Sequence, residues 1–259
     1  MFMFGSRHLD EPAGPPGRRA YIVGDIHGRL DLLDELLGKI HADMAERDTR
    51  KTLLVFVGDL IDRGPSSREV VERLRTYRRD GVRTIFLLGN HEEVLLRILE
   101  GESSLIPSWL RFGGAQCLES YGVDPLLLTG LADEQIIERV RGAVPAEHVE
   151  FLRSFVDTCR FGDYLFVHAG IRPGIELREQ RQSDLRWIRD PFLLDDTPHG
   201  FVVVHGHTIS REVEEHPNRI GIDTGAFATG VLTALGIEGT ERWYIDTRIT
   251  VGTPVPAAH

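Results

Sequence analysis

Several apolar runs in this 259-residue chain end on the same small set of side chains. Tyr21-Ile22-Val23 gives way to Gly24-Asp25-Ile26-His27-Gly28, and Phe56-Val57 to Gly58-Asp59. Phe86-Leu87-Leu88 leads into Gly89-Asn90-His91-Glu92, Leu165-Phe166-Val167 into His168-Ala169-Gly170, and Val202-Val203-Val204 into His205-Gly206-His207-Thr208. Short apolar runs separated by segments of helical period read as buried strands joined by crossovers. In open α/β sheets ligands collect beyond the carboxyl ends of the strands. Asp25, His27, Asp59, Asn90, His168 and His207 are therefore expected on one edge. Taken singly, each has a plainer reading: an Asp after a strand is a turn former or helix cap, and a His is a satisfied structural residue. Their repetition at successive strand ends favours a site.

The rest of the chain supports an α/β class. Leu30, Leu33 and Leu37, with Leu32 and Leu36 alongside, have helical spacing, and "SSREVVERLRTYRRD" is amphipathic after Pro65. Strand, helix, strand, helix, strand in series implies parallel strands with right-handed crossovers. Residues 101–160 are interrupted by Pro107, Gly113-Gly114, Gly122 and Pro145 and read as a helical insertion, with strands resuming at "DYLFV". The last part turns mostly β. Strands toward both ends with helices between suggest two sheets packed face to face with helices outside. Residues 1–19 and 248–259, rich in Pro, Gly and Ala, read as a flexible leader and tail.

Composition narrows the function. A net charge of −10 argues against a nucleic-acid partner. No apolar run is long enough to span a membrane, and the N-terminus lacks the apolar stretch of a secretory signal, so a cytoplasmic protein is expected. Cys117 and Cys159 lack metal-site spacing and read as reduced, buried thiols. The strand-end set of imidazole, carboxylate and amide suits Mn, Fe or Zn. Two ions sharing one carboxylate use such a ligand set economically, and the recurrent glycines allow tight turns and close backbone approach.

The order and spacing of "GDIHG", "GDLIDRGP", "GNHE", "HAG" and "HGHT" resemble the phosphoprotein phosphatases of the calcineurin-like metallophosphoesterases. "WLRFGG" (Trp109 to Gly114) and "DTG" (Asp223 to Gly225) resemble the bacterial and phage serine/threonine phosphatase branch. The likeness spans about Ala20 to Asp246. It implies a four-layer αββα sandwich, one metallophosphatase domain over residues 20–247, and two divalent metals, Mn by preference. It implies Asp25, His27 and Asp59 on the first metal, with Asp59 bridging to a second held by Asn90, His168 and His207. Ile209 stands where many metallophosphoesterases carry the second His of GHxH, and His205 lies outside the ligand pattern and reads as structural.

The same resemblance implies that Asp62 holds His91, which protonates the leaving oxygen while a metal-bridging hydroxide attacks phosphorus directly. Arg63, Arg189 and Asn90 are expected on the substrate phosphate. Arg189 is preferred to Arg186, which is expected to face solvent. Trp187 reads as wall or core, and Glu92 as an ordinary acidic residue at a helix start. A phosphorylated protein or small phosphoester is the expected partner. Asp62 and Glu92 favour phosphomonoesters, with phosphoserine and phosphothreonine first; a symmetrical diadenosine tetraphosphate hydrolase and a broader phosphatase including phosphotyrosine are the alternatives.

Overall fold

The computed structural model describes residues 11–248. Strand β1 (Arg18–Val23) is followed by helix α1 (Leu30–Glu46), β2 (Lys51–Phe56), α2 (Ser67–Arg75), β3 (Val82–Phe86) and α3 (Asn90–Glu100). A run of short helices and turns then extends from Ser103 to Arg153. The chain continues through β4 (Thr158–Phe161), β5 (Tyr164–Val167), β6 (Val202–His205), β7 (Glu214–Glu215), β8 (Arg219–Gly221), β9 (Thr233–Glu238) and β10 (Glu241–Asp246).

These strands make two mixed sheets, β10-β9-β1-β2-β3 and β4-β5-β6-β8-β7. In the first, β1, β2 and β3 are parallel; in the second, β5, β6 and β8 are parallel. Alternation along the strands explains the layering. Ala20 and Ile22 of β1 face Tyr164 and Phe166 of β5 across a core between the sheets. Tyr21 and Val23 point the other way, onto Leu33, Leu36 and Leu37 of α1. Leu165 and Val167 turn outward onto Leu185 and Phe192. The result is the expected α/β sandwich of two sheets flanked by helices. Because both sets of parallel strands have their carboxyl ends at one edge, six loops from separate parts of the chain meet there.

Two boundaries differ from expectation. Arg18 and Arg19, assigned to a leader, already belong to β1. Just before them, Gly14 N–H donates to Gly239 O at 2.8 Å and Tyr164 OH to Pro12 O at 3.1 Å, so backbone groups there have partners in the β9–β10 turn and in β5. The helical stretch ends at Arg153 and not near Arg160, because Thr158–Phe161 pairs antiparallel with β5. That strand lies at a sheet edge with Arg160 exposed, so it lacks the apolar run that marks a buried strand. Cys117 is buried as expected, whereas Cys159, on this edge strand, is only partly so; both are free. Residues 1–10 of the expected leader and 249–259 of the expected tail lie outside the described residues. No helix among the described residues is long and apolar enough to cross a membrane.

Candidate metal centre

Asp59 lies at the middle of the edge. Its carboxylate offers an oxygen within 4.8 Å of ring nitrogens of His27 and His91 on one side and of His168 and His207 on the other. His27 Nε2 is 3.6 Å from Asp59 Oδ2, and His168 Nε2 is 3.5 Å from Asp59 Oδ1. Asn90 Oδ1 stands 3.0 Å from His168 Nε2 and 2.8 Å from His207 Nδ1. Asp25 joins through Oδ2, which accepts the His207 backbone N–H at 3.0 Å. The side chains expected at the strand ends are thus brought together.

The protonation pattern fits cations. His27 Nδ1 lies 2.8 Å from Ile61 O, and His168 Nδ1 lies 2.9 Å from Val57 O. A carbonyl can only accept, so each Nδ1 carries the proton and each Nε2 presents a lone pair inward. Those lone pairs face carboxylate and amide oxygens, an arrangement that two acceptors adopt favourably only around a positive charge. Burial lowers the pKa of His27, of His168 and, to about 3, of His207, so the rings are neutral, the form in which imidazole can hold a cation. Burial also disfavours ionised Asp59, yet positive charge on the imidazole side, which His91 retains, holds its carboxyl below the usual range. Asp25 Oδ1 and His27 Nε2 are buried without a hydrogen-bond partner, as orphaned metal ligands would be.

Backbone strain concentrates here. The non-glycine residues with positive φ among the described residues are His27 (48°), Asp59 (49°), Asp62 (71°), Arg63 (67°) and His207 (64°). Such conformations cost on the order of 1–3 kcal/mol each and persist only where the surroundings enforce them. Glu92 enforces much of it. Its fully buried carboxylate accepts N–H groups from Asp59 at 2.9 Å, Leu60 at 2.8 Å, Ile61 at 3.3 Å and Gly89 at 3.2 Å. Burial and the Asp59 charge push its pKa up, against the pull of His91 and of those donors. Glu92 is therefore a clamp on the Asp59 loop, a larger part than the helix-start role expected of it.

Beside the cluster, His91 Nδ1 is 2.6 Å from Asp62 Oδ2, and His91 Nε2 is 3.2 Å from Arg63 Nη2. Burial opposes charge on His91, but Asp59 and Asp62 prevail and raise its pKa to about 9. His91 falls within reach of Asp59, yet one ring nitrogen is committed to Asp62. A cleft of about 360 Å³ opens over Arg63, Asn90, His91, Arg189 and His207. Arg189 reaches Thr208 Oγ1 at 3.4 Å. Arg186 does not face solvent as expected: it is buried and paired with Asp157 at 2.7 Å. Trp187 is wall and not core, 42% exposed along this cleft. His205 is buried, 3.0 Å through Nδ1 from Gly206 O and edge-on to Phe192.

Two residues of the site were missed by sequence reasoning. Asp223 follows β8 as Asp25 follows β1, and its buried Oδ2 has no partner. Burial raises its pKa to about 6, and its charge helps raise that of Asp25. The signal was present, an apolar run ending in Asp, within the "DTG" noted only as a resemblance. Phe227 packs edge-on to His27 at 5.4 Å and lies under the Arg63 guanidinium at 4.7 Å; nothing in its local sequence marks it.

The chain is 26% identical over 237 residues to an asymmetrical bis(5'-nucleosyl)-tetraphosphatase of Anoxybacillus flavithermus, covering 83% of this chain and 88% of that one. It is 28% identical over 229 residues to serine/threonine-protein phosphatase 1 of Salmonella typhimurium, covering 85% and 93%. A crystal structure of a putative diadenosine tetraphosphatase superposes with a TM-score of 0.61 at 23% identity, covering 90% of this chain and 98% of that one, which shows the shared fold. The family model described as calcineurin-like phosphoesterase matches residues 18–227, and the chain belongs to that family.

Proposed function

We propose that this chain is a dinuclear-metal phosphomonoesterase acting on phosphoserine and phosphothreonine in proteins. The observation that carries the reading is the 2.6 Å contact between His91 Nδ1 and Asp62, which turns the imidazole so that Nε2 faces the cleft beside Arg63. A serine or threonine alkoxide is a poor leaving group and needs a proton as the ester bond breaks. A nucleoside polyphosphate leaves as a stable anion and has little use for such an acid.

Asp25, His27 and Asp59 would hold one ion, and Asp59, Asn90, His168 and His207 a second; Asp59 is common to both groups of neighbours. Mn is the preferred metal, with Fe and Zn as alternatives. When bound, two such ions acidify water and neutralise charge on the phosphoryl group. The protein's own part is then positioning. Arg63 and Arg189 line the cleft and can orient phosphate oxygens through planar donors, with the Asn90 amide beside them. His91 Nε2 donates its proton to the departing oxygen, and Asp62 holds the resulting tautomer. A cytoplasmic location suits such substrates.

A second reading, hydrolysis of diadenosine tetraphosphate, is favoured by the bis(5'-nucleosyl)-tetraphosphatase among the similar proteins. The test is a side-by-side assay of the Mn-reconstituted protein on a phosphoserine peptide, p-nitrophenyl phosphate and diadenosine tetraphosphate. The highest kcat/KM is expected on a phosphomonoester. A tetraphosphate preference of tenfold or more would overturn the proposal.

A further inference from the structure

Three residues beyond Asn90 on α3, the carboxylate of Glu93 holds a segment from far along the chain. Glu93 Oε2 accepts the Trp187 indole Nε1–H at 2.8 Å, and Glu93 Oε1 lies 3.6 Å from Arg186 Nη1. The Glu93 side chain is 17% exposed and that of Arg186 11%, so water screens this contact poorly. Arg97, on the same helix, stands 3.8 Å from Glu93 Oε1, with its guanidinium bonded to Glu102 at 2.7 Å. Asp157 shares Arg186, 2.7 Å from Nη2. The indole is thus tied to α3 through Glu93, whereas Arg186 has a second anchor.

What this tie controls is two residues away. The helix Gln182–Trp187 ends at the tryptophan, and Ile188 turns to extended backbone (φ −62°, ψ 145°). Arg189 therefore sits on no regular element, between that helix and the short one Asp190–Leu193. Leu185 O accepts the Ala169 N–H at 2.9 Å, next to His168, and Phe192 is fully buried. Those contacts place the two ends of the segment. Glu93 ties the stretch between them to the helix that begins with Asn90 and His91. Arg189 is exposed and lines the cleft with Asn90, His91 and Trp187. Its guanidinium reaches Thr208 Oγ1 at 3.4 Å, a long contact, so the aim of the side chain depends on where the backbone of residues 187–189 is held.

We infer that Glu93 is a positioning residue for Arg189: by holding the Trp187 indole and Arg186, it sets how far the Arg189 guanidinium stands from the phosphoryl site beside Asn90 and His91. The inference rests on the assignment of Arg189 to the substrate phosphate and adds the residue that aims it. A guanidinium that donates two parallel bonds to a phosphate is sensitive to displacement, because both bonds lengthen together. A misplacement of about 1 Å can lower a rate on the order of 100-fold. A smaller effect is expected here, because Leu185 and Phe192 still hold the ends of the segment. An amide in place of the Glu93 carboxylate keeps an oxygen for the indole N–H, whereas alanine releases it. The two substitutions therefore separate the tie from the charge.

The test compares wild type, Glu93→Ala, Glu93→Gln, Trp187→Phe, Arg189→Ala and the double variant Glu93→Ala/Arg189→Ala, all Mn-reconstituted. The readouts are KM and kcat on a phosphoserine peptide and the Kd of inorganic phosphate by calorimetry, which needs no turnover. Glu93→Ala should raise KM and the phosphate Kd about fivefold, with kcat within about twofold. Trp187→Phe, which keeps a ring and drops the donor, should do about the same, while Glu93→Gln should stay within about twofold of wild type. Arg189→Ala should weaken phosphate binding about tenfold, and the double variant should be no weaker, because nothing is left to aim. Phosphate binding like wild type in Glu93→Ala and Trp187→Phe, with Arg189→Ala impaired, overturns the positioning role and leaves Arg189 on the phosphate. So does a loss in Glu93→Gln equal to that in Glu93→Ala, or a full fivefold added by Glu93→Ala on the Arg189→Ala background. Unchanged phosphate binding in Arg189→Ala refutes the assignment of Arg189 itself, and the inference with it. Absence of phosphoserine turnover with the calorimetric pattern intact supports the inference and counts against the substrate reading alone.

Discussion

The indole Nε1–H of Trp109 points at the carboxylate of Asp62, 3.1 Å from Oδ2 and 3.3 Å from Oδ1. The same Oδ2 faces His91 Nδ1 at 2.6 Å. Trp109 is buried at 3% exposure, and Gly114 lies so close against its ring that a Cβ would not fit. The "WLRFGG" segment thus braces the Asp62–His91 pair from behind: its Trp supplies a donor and its glycines permit the approach. Trp109→Phe keeps the ring but removes the donor. It should lower kcat on a phosphoserine peptide about tenfold with KM little changed, and lower it much less on p-nitrophenyl phosphate, whose leaving group needs no acid. Equal losses on both substrates would mean Trp109 acts only on folding.

His91→Asn removes the proposed acid. Turnover of a phosphoserine peptide should fall by roughly a factor of 100 or more, with metal content near wild type and a smaller loss on aryl phosphates. Steady-state kinetics with metal analysis on one preparation decides this. Unchanged turnover would exclude the acid role.

Asp59→Asn removes the charge common to both groups of candidate ligands. Metal content by mass spectrometry and activity should fall together, by more than tenfold at micromolar metal. Two ions retained per chain would contradict a bridging role.

Glu92→Gln replaces a carboxylate that accepts N–H groups from four residues, Asp59, Leu60, Ile61 and Gly89. An amide has one acceptor oxygen and turns its NH₂ toward the remaining donors. Stability should drop by about 2–3 kcal/mol, read from the midpoint of urea unfolding, and metal affinity should weaken as the Asp59 loop relaxes.

The metal-free protein should show a His91-dependent loss of stability at alkaline pH. The folded pKa, up to about 9, lies above the ordinary histidine value near 6.5. A raised pKa means the folded state binds the proton more tightly, so this contribution is complete below pH ~6.5 and disappears as pH rises through about 9. Melting temperatures measured from pH 6 to 10 in chelator should decline more for wild type than for His91→Asn. Parallel curves would show that Asp62 and Asp59 do not hold the proton.

What could be read from the sequence follows from short-range rules. Apolar runs of strand length alternating with helical segments dictate parallel β1, β2 and β3, and parallel strands deliver their carboxyl ends to one edge. Asp25, His27, Asp59, Asn90, His168 and His207 were legible because each directly follows such a run, whatever the distance between the runs. The edge strand β4 was not legible, because its half-exposed residues carry no buried-strand pattern.

Other features depended on contacts between segments that no local pattern encodes. Arg186 and Arg189 are near-equivalent in sequence, and the presence of Asp157 beside one of them decides which remains along the cleft. Glu92 resembles any acid at a helix start until the Asp59 loop closes over its carboxylate. Trp109 and Phe112 are three residues apart in one motif, yet one is buried behind Asp62 and the other borders the opening. Those assignments were made by tertiary packing, because hydrogen bonds and burial depend on what arrives from elsewhere in the chain, whereas strand periodicity depends only on the neighbours along it.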